Sequence, residues 1–132
     1  MAISKFDYSQ KIGLYGIQIN KAADEYADYS NAATFETEEE LGEFRKGWLL
    51  IVDNFRVIQS NINELEIPKG HEDKGQELRE AYQKYVDYVE EKTMKFGLVD
   101  IKEINMIERL EAEQSSEIKK ITEELKKEMF DK

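Results

Sequence analysis

Apolar residues recur along this chain at spacings of three and four, and the longest series is Leu41, Phe44, Trp48, Ile51, Phe55, Ile58, Ile62 and Leu65. That spacing predicts the seam of a long buried helix over residues 38–66. Thr37-Glu38-Glu39-Glu40 opens it as a capping box, with acids in the first turn where the helix dipole favours them. Glu66-Ile67-Pro68-Lys69-Gly70 stops it, because proline lacks a backbone donor and biases the residue before it away from helix.

Three further helices follow from the same pattern. Tyr8, Ile12, Tyr15, Ile19, Ala22, Tyr26 and Tyr29 mark a helix over 4–30, started by Ser4-Lys5-Phe6-Asp7. Gly13 and Gly16 interrupt its propensity, as a soft spot or a close approach of a neighbour, and the soft spot is the expectation. Leu78, Tyr82, Tyr85, Val89 and Phe96 mark a helix over 74–96, with Ala81, Val86 and Tyr88 widening its apolar face and Gly97 placed to end it. Behind an Asp100 cap, a helix over 101–130 carries Ile101, Ile104, Ile107 and Leu110, then Ile118, Ile121, Leu125 and Met129. Residues 111–117 between these stripes are polar almost throughout, so the middle turn projects past the body, faces a solvent-filled notch, or marks a kink. No stretch alternates as a strand would. The expected architecture is all-α, an antiparallel four-helix bundle in which residues 1–132 form a single domain.

Composition narrows the function. Twenty-nine acidic against nineteen basic residues give a formal charge of −10, which disfavours nucleic acid and anionic membrane as direct partners and leaves another protein as the expected one. The absence of cysteine removes disulfides, thiolate metal sites and cysteine nucleophiles. No run is apolar enough to span a membrane, and Lys5, Asp7 and Lys11 interrupt the stretch where a leader's apolar core would lie. A soluble, cytoplasmic protein is expected, with export open if a leader has been removed.

Candidate chemistry is sparse. The single histidine, His71, falls in a predicted turn, so neither the paired Glu-x-x-His of di-iron bundles nor a Ser-His-acid triad is available in its usual form. Glycine-rich phosphate loops and calcium loops are missing, and Met94, Met106 and Met129 are read as packing rather than haem ligands. No catalytic residue, cofactor or metal is therefore assigned, and a non-enzyme is expected. Gly47-Trp48 reverses the Trp-x-Gly order of small secreted helical hairpins and lies inside a helix, so no family pattern is met.

Two surfaces remain as candidates. Tyr15, Tyr26, Tyr82, Tyr85 and Tyr88 would line an aromatic groove between the first and third helices, for a partner helix or an apolar ligand; the plainer account is rings at the core edge with wet hydroxyls. Glu36, Glu38, Glu39 and Glu40 would form an acidic docking patch, although capping already accounts for them. The leading expectation is a protein that acts by protein–protein interaction. The alternatives are an acidic inhibitor, or nucleic-acid mimic, that covers a basic surface, and a bundle holding a small apolar ligand. Homo-oligomerisation through the C-terminal helix is expected if the polar middle of that helix lies outside the body.

Overall fold

A computed structural model describes residues 3–32 and 34–130. Four helices follow in order: α1 (Lys5–Ala32), α2 (Glu38–Glu64), α3 (Glu72–Lys95) and α4 (Ile101–Phe130), with no strand among the described residues. The predicted caps operate. Ser4 Oγ accepts the Asp7 N–H at 3.0 Å, and Thr37, extended at φ −126 and ψ 161, accepts the Glu40 N–H at 3.1 Å. The Glu40 carboxylate accepts in return from the N–H of Glu36 at 2.8 Å, one residue before the cap. Asp100 Oδ1 accepts the Lys102 N–H at 3.0 Å, while Glu103 pairs with Lys95 at 3.1 Å instead of completing a box. α3 departs from expectation by starting at Glu72 rather than near residue 74; His71 is its cap residue and makes no side-chain capping bond. Gly70 and Gly97 turn the chain at φ +93 and φ +82, a conformation that side chains with a Cβ rarely adopt.

One core joins all four helices. Ile19, Trp48, Phe55, Leu78, Val86 and Leu125 represent it, and Phe55 is wholly enclosed. Within the α2 seam, Trp48, Phe55, Ile58, Ile62 and Leu65 are buried, whereas Leu41, Phe44 and Ile51 are half-buried. α4 runs unbroken through 111–117, and Ile118, Ile121, Leu125 and Met129 pack into the core. The stripe that would have sought a second copy is thus already covered within the chain.

α2 and α3 are tied at both ends by reciprocal arginine contacts. Arg79 of α3 donates to the Leu65 carbonyl at 2.7 Å, at the end of α2. Arg45 of α2 donates to the Thr93 carbonyl at 3.2 Å and to that of Phe96, at the end of α3. Each guanidinium satisfies carbonyls that a helix terminus leaves without partners and meets the negative end of its dipole. Midway, Arg56 bridges to Asp87 at 2.9 Å and to Glu90 at 2.7 Å. Helices adjacent in sequence pack extensively, α1 and α3 lie diagonally opposed, and α1 and α4 meet only sparsely.

Candidate functional site

The sparse meeting of α1 with α4 has a direction. Where Tyr8 and Ile12 face Thr122, Leu125 and Met129, only a crevice of about 10 Å³ separates the helices. Further along, Ile12, Gly16 and Ile19 face Ser115, Ile118 and Thr122 across a cleft of about 250 Å³, with Tyr82 and Tyr85 of α3 in its lining. At the far end, Ala23, Tyr26 and Ala27 face Glu108 and Glu111 across about 500 Å³. The fourth seam of the bundle is therefore a wedge, closed where α1 begins and α4 ends, and open at the other end. Glu111 and Ser115, from the polar middle of α4, line it, so that part of the polar turn faces the cleft.

The wide end is built on aromatic rings. Trp48 stacks on Tyr26 with centroids 4.9 Å apart, meets Phe44 at 4.8 Å and is met edge-on by Phe96 at 5.1 Å. Phe35 joins Phe44 at 5.6 Å and Phe96 at 6.1 Å. These residues come from α1, the α1–α2 connection, α2 and the end of α3, so the cluster exists only once the bundle has assembled. Thr93 donates to the Val89 carbonyl at 2.8 Å, which leaves its oxygen to accept from the Tyr26 hydroxyl at 2.8 Å. Burial above all raises the Tyr26 phenol well beyond its ordinary range, the Thr93 bond opposes this, and the charges of Glu111 and Glu108 add to the rise. Burial likewise raises Tyr85, and it carries Tyr82 to about 12.

Lys92 places a charge in this apolar setting. Its ammonium lies 4.7 Å from the Tyr26 ring centroid and 2.8 Å from Glu111 Oε2, so it has both an aromatic face and a carboxylate as partners. Glu108, one turn before Glu111, lines the same cleft and makes no ion pair among the described residues. The Trp48 indole N–H is buried with no hydrogen-bond partner among them.

The tyrosines singled out from the sequence divide. Tyr82 and Tyr85 line the middle of the wedge and Tyr26 its wide end, whereas Tyr15 packs half-buried against the core and neither Tyr15 nor Tyr88 lines the wedge. The groove lies between α1 and α4, with α3 contributing its floor, because α1 and α3 are diagonal partners. Glu36, Glu38, Glu39 and Glu40 are exposed at the start of α2, with Glu40 and the Glu36 backbone engaged in the cap. Exposed acids occur on all four helices, and several pair with neighbouring bases, as Glu77 does with Lys74 and Glu91 with Lys95.

Sequence reasoning missed Phe35, Lys92, Glu108 and Glu111 as site residues. A signal existed for two of them: Lys92 sits where the Tyr85, Val89, Phe96 spacing calls for an apolar residue, and Glu111 continues Ile104 and Ile107 in the same way. Among the described residues no group of histidine and acidic side chains is arranged to hold a metal ion, and no helix is long and apolar enough to cross a membrane. Comparison with known proteins gives no match, whether to a family model, a curated protein or a solved structure.

Proposed function

We propose that the protein is a non-enzymatic interaction module, and that the wedge between α1 and α4 receives a segment of a protein partner. The observation that carries this reading is the asymmetry of the bundle: neighbouring helices pack extensively on three sides, whereas α1 and α4 meet sparsely and leave an aromatic-lined cleft of about 500 Å³ at one end. A groove between two helices with an apolar floor is the geometry by which bundles take up an amphipathic helix. A small apolar ligand is the second reading, favoured by the aromatic lining and by a volume within the range of small-molecule pockets.

Photo-crosslinking tests the first reading. A benzophenone amino acid at Ala27, which lines the wide end, is expected to trap one discrete protein adduct in the source cells. The same group at Ser60, exposed on α2 and outside the wedge, is expected to trap none of it. Identical adduct patterns from both positions would refute the proposal.

A further inference from the structure

We propose that the wide end of the wedge selects organic cations, so that the partner is anchored there by a lysine side chain whose ammonium sits on an apolar stem. This rests on the reading of the wedge as a binding site and adds the chemistry of its occupant.

Lys92 already shows the site holding such a group. Its ammonium finds the Tyr26 ring at 4.7 Å and Glu111 at 2.8 Å, and the residue as a whole is buried. That pair is internally neutral. Glu108 is then left as a second carboxylate at the same opening, and the charged residues lining the cleft carry a formal excess of one negative charge. A cation brought beside Glu108 cancels that excess, and its stem has the half-buried rings of Phe35, Phe44 and Phe96 to lie against. An anion of the same shape meets that uncompensated carboxylate instead. The net charge of −10 adds an attraction at longer range for the same sign of partner.

Three probes of nearly one shape separate charge from shape: phenethylammonium, 2-phenylethanol and phenylacetate. Trp48 is the only tryptophan and lines the cleft, so its fluorescence in the full chain reports occupancy without a label. The expected order of affinity is ammonium, then alcohol, then carboxylate. Glu108→Gln is expected to weaken phenethylammonium about two- to fivefold, as an exposed ion pair would, and to leave the alcohol unchanged. Glu113→Gln removes the same charge from an exposed position on α4 outside the cleft, and is expected to change nothing. A Leu/Lys amphipathic peptide should move the same signal more strongly than its Leu/Gln counterpart, and lose that advantage in Glu108→Gln.

The failures are distinguishable. If none of the probes or peptides moves the Trp48 signal, the wedge is not a binding site and both proposals fall. If the small probes bind alike, or phenethylammonium binds Glu108→Gln as tightly as the unaltered protein, the wedge binds but cation selection is refuted. If phenethylammonium ranks first while the two peptides are indistinguishable, a free amine is the occupant and the partner-borne lysine is overturned.

Discussion

Tyr8, Tyr26, Tyr82 and Tyr85 bring phenols into the core, and burial raises the proton affinity of each. A phenol that stays protonated in the fold to about 12, as Tyr82 does, but ionises near its ordinary value of 10.0 once unfolded, links stability to pH. Below 10.0 both states hold the proton and the contribution is complete. Above that value the unfolded chain releases protons that the folded chain keeps, so stability falls as pH rises toward 12. The expected result is that phenolate absorbance from these four residues appears above the ordinary tyrosine range and together with loss of helical circular dichroism. Complete tyrosine ionisation with the helical signal intact would contradict their burial. Lys92 teaches a related lesson: a charged residue in an apolar register position was legible as an anomaly, but its partners Tyr26 and Glu111 lie on other helices and could be identified only in the fold.

For the helices themselves, boundaries were legible because local chemistry sets them. Ser4, Thr37 and Asp100 bond to backbone within their own first turns, and Pro68 acts on its own neighbours. The arginine contacts of Arg45 and Arg79 were not legible, since each terminates a helix other than its own. The part of α4 in the cleft beside α1 and α3 was not legible for a similar reason: periodicity shows which face is apolar, not which neighbour covers it. Glycine shows how position on a helix decides the sign of a substitution. A Cβ at Gly13 would meet nothing within 4 Å and one at Gly16 would lie 3.7 Å from the Tyr82 hydroxyl, because α4 stands off from α1 there. Gly13→Ala and Gly16→Ala are each expected to stabilise the protein by about 0.5–1 kcal/mol, raising Tm by about 2–4 °C. Gly47 is the opposite case. Its Cβ would overlap the Tyr29 hydroxyl, and that ring is held by stacking 4.6 Å from Phe44 and by a 2.9 Å bond to the Phe44 carbonyl. Gly47→Ala is expected to cost about 1–3 kcal/mol, and thermal melts of the three variants check both signs.

At the scale of the whole molecule, the four helices are not equally committed to one another. α3 lies between α2 and α4 and is bound to α2 at both ends and in the middle by Arg45, Arg56 and Arg79. α1 packs along α2 but reaches α4 chiefly where Tyr8 and Ile12 meet Leu125 and Met129. The sparse α1–α4 seam predicts unequal cooperativity, with α1 opening while α2, α3 and α4 remain folded. In native-state hydrogen exchange, the central amides of α1 are expected to open at a lower free energy than those of α3 and with a weaker denaturant dependence. One common opening free energy for both helices would show a single cooperative unit instead. A chain built this way keeps its slowest-exchanging amides in α3, and a ligand that fills the wedge would slow exchange most in α1, the helix least protected without it.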